Sequence, residues 1–198
     1  MMSLGFSFIF PFLLIMALLQ GGAGLSGKDL CGWRPTLILV LISAFIVVTP
    51  VGGLPLARWM ISFNANFSIP LTAILFCKVL ENSFGVNLLD KNALLTCWVL
   101  SLIAGVILYP MALGLGGFDP YPAGWGFSCL FGVVCGVTIL LVITKNRFAV
   151  VLIAAILAHN LHLLESTNLW DYLVDPFMVL VSCIALGSRF LWKLGSRP

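Results

Sequence analysis

The chain has 198 residues, 61% of them hydrophobic and only 9% charged, with a mean hydropathy of +1.14 and a formal net charge of +3. An ordinary globular domain carries about a quarter charged residues, so this composition excludes a water-soluble core. The ten Lys and Arg residues are dispersed, which argues against nucleic acid as a partner and leaves their spacing to membrane topology.

The charges fall in short gaps between long apolar runs. In hydrocarbon only helices and closed barrels satisfy their own backbone hydrogen bonds, so the pattern predicts an all-α, polytopic integral membrane helix bundle. The length accommodates roughly six or seven spans of about 20 residues in one transmembrane domain over residues 1–198, with none to spare for a soluble catalytic domain.

The first run, Leu4–Gln20, has no basic residue before it and reads as a retained helix rather than a cleaved signal peptide. The second, Pro35–Leu56, should break near its end, where Pro50, Gly52, Gly53 and Pro55 cluster. Arg58 and Trp59 would then lie on a short amphipathic piece along the surface. The third, Ile69–Leu89, carries Lys78 and Glu81 within it, and is either a span with a buried ion pair or a tilted or re-entrant segment. Four further runs follow: Ala93–Leu115, Phe127–Thr144, Phe148–Leu164 and Leu173–Trp192.

Orientation follows from the basic residues. With an exoplasmic N-terminus, Lys28, Arg34, Lys91, Lys145, Arg147, Lys193 and Arg197 all face the cytoplasm, Arg189 lies near that boundary, and Arg58 alone is clearly exoplasmic. The expected location is the bacterial inner (cell) membrane, with a cytoplasmic C-terminus if there are seven spans. The exoplasmic gaps are then Gly116–Gly126, rich in turn residues and aromatics, and Glu165–Asp175, with three carboxylates beside Trp170 and Tyr172.

Two constellations are candidates for chemistry. On a continuous helix, His159, His162 and Glu165 at i, i+3 and i+6 share one slowly drifting face, with Asp171 and Asp175 following and Asp119 in the neighbouring exoplasmic gap. Two imidazoles and nearby carboxylates suit proton relay near neutral pH, and His159 and His162 are the residues that would ligate a metal or haem. The competing explanation is that polar residues gather where a helix leaves the bilayer. The second constellation, Lys78 with Glu81 at i, i+3, forms a candidate intramembrane ion pair, expected to face the bundle interior. Ser128, Gly132 and Gly136 recur every four residues as a helix-packing stripe. The six cysteines sit mostly in apolar runs and read as small core residues, because Cys129 and Cys135 match neither a CxxC redox motif nor a zinc spacing.

No GxSxG, HExxH, GxxxxGK[ST] or GxGxxG motif is present, and no cofactor is expected. The reading leans away from an enzyme and toward a non-enzymatic accessory or structural subunit of a membrane-associated system, whose partners are the lipid bilayer and a larger membrane protein or further copies of the chain. The alternatives are a small carrier or proton-coupled transporter, and an intramembrane metal- or haem-binding redox protein or enzyme.

Overall fold

The computed structural model describes residues 2–27 and 30–195; Lys28 and Arg197, both used in reading the orientation, lie outside the described residues. Apart from one two-stranded hairpin the described chain is helical, and it divides into two compact units. The first comprises Met1–Phe67, Thr72–Leu88 and His162–Glu165; the second comprises Ser68–Leu71, Leu89–Leu161 and Ser166–Pro198.

In the first unit, helix α1 (Met2–Ser7) is followed after one residue by α2 (Ile9–Leu25). Pro11 explains the interruption: it lacks the N–H that would bond to the Ser7 carbonyl, and the ladder resumes where Phe12 N–H donates to Phe8 O at 3.1 Å. Helix α3 (Trp33–Val48) stops before Pro50. The helix breaks where the proline and glycine cluster was expected to break it, and the break takes the form of a hairpin: Pro50–Val51 (β1) and Leu54–Pro55 (β2) pair antiparallel around Gly52 and Gly53. Both glycines have positive φ, +59° and +87°, which a two-residue hairpin loop requires and which suits residues without a Cβ. The short amphipathic piece then follows as α4 (Leu56–Phe63), anchored by Trp59 Nε1 donating to Val51 O at 2.8 Å.

Helix α5 (Ile69–Phe84) ends at Gly85, whose left-handed φ of +68° lets its N–H bond to Glu81 O at 2.8 Å. Sixteen residues rise about 24 Å, less than the ~30 Å hydrocarbon core. The first unit's apolar core joins Leu13 and Met16 of α2, Leu39 of α3 and Val79 of α5.

The second unit is built on α6 (Lys91–Ala112), which starts where Asp90 Oδ1 accepts from Ala93 N–H at 3.2 Å and whose 22 residues rise about 33 Å. With it come α7 (Cys129–Ile143), α8 (Phe148–Asn160), α9 (Leu169–Leu173) and α10 (Pro176–Gly195); α6 packs against α10 and α8, and α8 in turn against α7 and α9. The α7–α8 link turns at Lys145, φ +55°, and Asn146 Nδ2 donates to Thr96 Oγ1 of α6 at 2.8 Å. Helix α10 lies along α6 where Gly105 leaves no room for a side chain: a Cβ there would overlap the methyl groups of Val179. Gly105→Ala is therefore expected to destabilise the α6–α10 contact by roughly 1–3 kcal/mol. Thermal unfolding of the detergent-solubilised chain measures it, with Gly132→Ala, where added bulk meets open space, as the matched control.

Three helices, Gly5–Leu25, Lys91–Ala112 and Pro176–Lys193, are long and apolar enough to cross a membrane, fewer than the six to seven spans expected from hydropathy. Three others, α3, α7 and α8, are apolar but only 13–16 residues long. Hydropathy registers apolarity, whereas helix length is set by the turns that interrupt it, and glycine, proline and left-handed residues shorten several runs here.

The helices expose many large apolar side chains, and bury some small and hydroxylated residues beside their apolar ones. Helix α3 buries Thr36 and Ser43 beside Leu39 and Val47, and exposes Leu37, Leu41 and Phe45. Helix α6 buries Ala93, Ser101 and Gly105 and exposes Val99, Ile103 and Val106, while α10 buries Ser182 and exposes Leu180, Ile184 and Phe190. Large apolar residues are buried on the same helices, among them Trp98 and Leu108 on α6 and Met178 on α10, so apolar side chains occupy inner and outer faces alike.

Candidate functional site

The polar residues singled out from the sequence fall into separate arrangements. Helix α8 stops at Asn160, and Leu161 N–H closes its last turn on Leu157 O at 2.9 Å. His162 then takes a left-handed φ of +50°, a conformation uncommon outside glycine. The helical face expected to join His159, His162 and Glu165 therefore does not form, because only His159 lies on the helix. His162 and Glu165 are exposed in the short segment belonging to the first unit, where Glu165 N–H donates to Asn66 Oδ1 at 3.1 Å.

Within the second unit His159 is held by its surroundings. Its Nε2 lies 3.2 Å from Thr167 O, and its ring meets Tyr172 edge-on with centroids 5.2 Å apart. Asp171 and Asp175, expected at i, i+4 on one helix, are divided by the end of α9: Val174 is extended and Asp175 begins α10. Asp175 is 2% exposed and its two oxygens accept three backbone N–H groups, from Phe177 at 2.8 Å, Met178 at 3.0 Å and Ser68 at 2.8 Å. It is a helix cap that also fixes the approach to α5.

A hub that the sequence reading passed over organises this region. Asn168, fully buried, receives Trp170 N–H on its Oδ1 at 3.0 Å and donates from Nδ2 to Tyr121 O at 3.0 Å. Trp170 Nε1 donates to Pro120 O at 2.9 Å, and Tyr121 Oη donates to Asp171 Oδ2 at 3.1 Å. Asp119, itself exposed, accepts Tyr121 N–H at 2.9 Å and shapes the turn before it. Thus Asp119 and Asp171 meet at Tyr121, at its backbone and its phenol respectively. Gly124 closes against the hub so tightly that a Cβ would collide with Asn168 Oδ1. The available signal was local: Asn168 lies two residues before Trp170 at the start of a short helix, the spacing of an Asx cap.

No family model, curated protein or solved structure matches this chain. Its chemistry has to be read from the residues themselves.

Burial pushes the Tyr121 phenol above its ordinary value, and the Asp171 carboxylate it bonds to pushes it in the same direction. The folded state holds this proton more tightly than the unfolded chain. The contribution is complete below the ordinary tyrosine range near pH 10 and is lost as pH rises through the elevated range. Alkaline absorbance titration, taken as the difference between wild type and Tyr121→Phe, is expected to show a late-ionising phenol that Asp171→Asn brings back down.

Among the described residues, no group of three His, Cys, Asp or Glu side chains is placed to hold a metal ion. His159 and His162, the pair expected to ligate a metal or haem, fall in different units, and His159 Nε2 lies beside the Thr167 carbonyl.

In the first unit, Lys78 Nζ and Glu81 Oε2 form the expected ion pair at 2.9 Å. The pair was expected to face the interior, but its side chains are 56% and 43% exposed, so it lies on the outside of the chain. A buried polar cluster links the same helix to α2. Gln20, 6% exposed, donates from Nε2 to Ser83 Oγ at 2.8 Å and accepts from Asn82 Nδ2 at 3.3 Å, while Ser83 O receives Gly32 N–H at 2.8 Å. Polar contacts of this kind hold helices together where apolar burial gives little discrimination. The double variant Lys78→Met/Glu81→Gln is expected to change unfolding stability by less than about 1 kcal/mol, as for exposed ion pairs generally. Gln20→Leu is expected to be more damaging in the same thermal assay, because it strips the buried Ser83 hydroxyl and the half-buried Asn82 amide of their partner.

The expected packing stripe also resolves differently. Ser128 is extended at the N-cap position of α7, and its hydroxyl donates to Ala123 O. Gly132 and Gly136 are exposed, and a Cβ on either meets nothing within 4 Å, so among the described residues no helix packs there. The close-packing glycines are Gly105 and Gly124: Gly105 follows the buried Cys97 and Ser101 at four-residue spacing on α6, a repeat not singled out from the sequence, whereas Gly124 ends a short turn that carries no helical repeat.

Proposed function

We propose that the chain is an integral membrane protein that acts as a non-enzymatic accessory subunit, positioning a larger membrane protein that carries the chemistry. The many exposed large apolar side chains support the membrane setting: water-soluble monomers rarely expose extensive apolar surface, whereas helices in lipid turn large apolar residues outward. In this reading the longer helices cross the bilayer fully, and α3, α5, α7 and α8 cross with help from flanking residues and local thinning, giving six or seven passages. The orientation that puts Lys145 and Arg147 in the cytoplasm places Arg58, the Gly116–Gly126 loop and the Asn168 hub on the exoplasmic side of a bacterial inner membrane.

The observation that carries the accessory role is the engagement of the polar residues best suited to catalysis. Asp175 caps α10, Asp171 holds Tyr121, and His159 faces Thr167 O and Tyr172. These are contacts that fix loops. The half-exposed Lys78–Glu81 pair on α5 offers an outward polar mark for a partner in the membrane.

Native mass spectrometry of the chain extracted from its own membrane in mild detergent tests the role. The expected result is a stoichiometric complex in which a second, larger polypeptide accompanies the 21.5 kDa chain and is lost from Lys78→Glu/Glu81→Lys. A stable monomer that catalyses pH-dependent flux in proteoliposomes, with flux abolished by Lys78→Met, would establish the carrier reading in its place.

A further inference from the structure

We infer that the end of the second unit that carries Lys91 binds the headgroups of anionic phospholipids. Asn146 Nδ2 donates to Thr96 Oγ1 at 2.8 Å, which brings Lys145 and Arg147, on either side of Asn146, to the first turns of α6. Helix α10 arrives at the same end. It packs along α6 and runs antiparallel to it, because the chain leaving α6 and the chain entering α10 are joined at the other end, where Trp170 Nε1 donates to Pro120 O at 2.9 Å. From the close approach of Gly105 to Val179, fourteen residues back along α6 lead to Lys91 and fourteen residues on along α10 lead to Lys193, about 21 Å in each case. Arg189 lies about one turn before Lys193 on α10.

All five of these cations are exposed. Among the described residues of the unit the only carboxylate at this end is Asp90, which caps α6, and no carboxylate pairs with Lys91, Lys145 or Arg189. The far end holds Asp119, Asp171 and Asp175 and no Lys or Arg. The charge calls for an anion, and the neighbouring side chains decide which. Phe190, Leu191 and Trp192 stand between Arg189 and Lys193, Ile143 lies two residues before Lys145, and all four are more than 60% exposed. A free anion or an acidic soluble segment would neutralise the cations and leave these side chains in water. A phospholipid carries its phosphate directly above its hydrocarbon tails, so one molecule meets both the cations and the apolar side chains beside them. One Lys or Arg at such a surface favours anionic lipid by roughly five-fold.

The inference rests on the membrane reading above, and electron paramagnetic resonance of spin-labelled lipids separates the two. The full chain is reconstituted in phosphatidylcholine, and the fraction immobilised on the protein is compared for spin-labelled phosphatidylglycerol and spin-labelled phosphatidylcholine. The expected result is a preference for phosphatidylglycerol of about three-fold or more at ~0.1 M salt, lost at ~1 M salt, where the screening length falls to ~3 Å. Lys91→Gln/Lys145→Gln/Arg189→Gln should bring the preference to within about 1.5-fold of unity. Arg34→Gln removes an exposed cation that lies in the first unit but shares the cytoplasmic side in the proposed orientation, and should cost clearly less than Lys91→Gln. Should the triple variant not fold, the salt dependence and the comparison of Lys91→Gln with Arg34→Gln decide. Equal losses from those two substitutions would leave only a field spread over the leaflet and overturn the inference. So would a preference that survives the folded triple variant, or one abolished by glycerol phosphate at constant ionic strength, which would make the surface a site for a free anion. Equal immobilisation of the two lipids by the wild type would overturn it too, leaving an acidic protein segment as the partner. Failure of the membrane reading looks different, since neither lipid would then show an immobilised fraction.

Discussion

Replacing Gly124 by alanine is expected to detach the 116–128 loop from the segment that it covers. The added Cβ would occupy the space of Asn168 Oδ1, and the next contacts it meets are Asn168 Cγ and Trp170 Cδ1. None of these can yield cheaply, because Asn168 is fully buried and fixed at both ends of its amide by Trp170 N–H and Tyr121 O. Overpacking alone costs about 1–3 kcal/mol. Displacing Asn168 also breaks its two hydrogen bonds and leaves buried groups unpaired, adding roughly 1–3 kcal/mol for each. The measurable outcome is faster amide exchange over residues 116–128 and 166–172, together with a lowered unfolding midpoint. Gly126→Ala, where the added group meets nothing within 4 Å, has only its φ of +72° to strain and should perturb the loop less. Equal effects from the two substitutions would show that the Asn168 contact is not what holds the loop.

Asp175→Ala is expected to have the second largest effect. It removes one carboxylate that serves three backbone amides: two in the first turn of α10 and that of Ser68 just before α5. Loss of a helix cap costs about 0.5–2 kcal/mol, and an unpaired buried amide a further 1–3 kcal/mol, so a total of order 2–4 kcal/mol is expected. Asp175→Asn keeps one acceptor oxygen and should fall between alanine and wild type. Exchange at Ser68, Phe177 and Met178 reads the cap directly, and all three amides should accelerate together in Asp175→Ala. Acceleration at Phe177 and Met178 with Ser68 unchanged would mean that the bond reaching Ser68 contributes nothing.

What was legible in the sequence, and what was not, divides along physical lines. Apolar runs announce helices because hydrocarbon-facing and buried positions are alike apolar, and the all-helical character followed from that. The break at Pro50–Pro55 and the amphipathic piece at Arg58 and Trp59 were legible because proline and glycine act through their own backbones. The hairpin itself was not, since two-residue strands leave almost no periodic signal. The end of α8 was missed for the same reason that its hydropathy was persuasive: Leu161, Leu163 and Leu164 continue the apolar run past the point where the backbone turns at His162. The Lys78–Glu81 contact could be read from its i, i+3 spacing, but its outward direction depends on which face of α5 the rest of the unit covers. Gln20 and Gly124 owe their importance to partners 44 or more positions away, which one sequence cannot align, and so does the half of Asn168's role that reaches Tyr121; its cap on Trp170 is local.

In the proposed role the chain crosses a membrane with the two ends of its second unit on opposite sides. Single cysteines at Lys145 and Ala123, introduced into a chain whose six native cysteines have been replaced, test it with a membrane-impermeant maleimide applied to intact cells and then to lysed ones. Ala123→Cys is expected to react from outside, and Lys145→Cys only after lysis. Reaction of Lys145→Cys in intact cells, or equal protection of both positions, would contradict the orientation and the spanning bundle on which the proposed role depends.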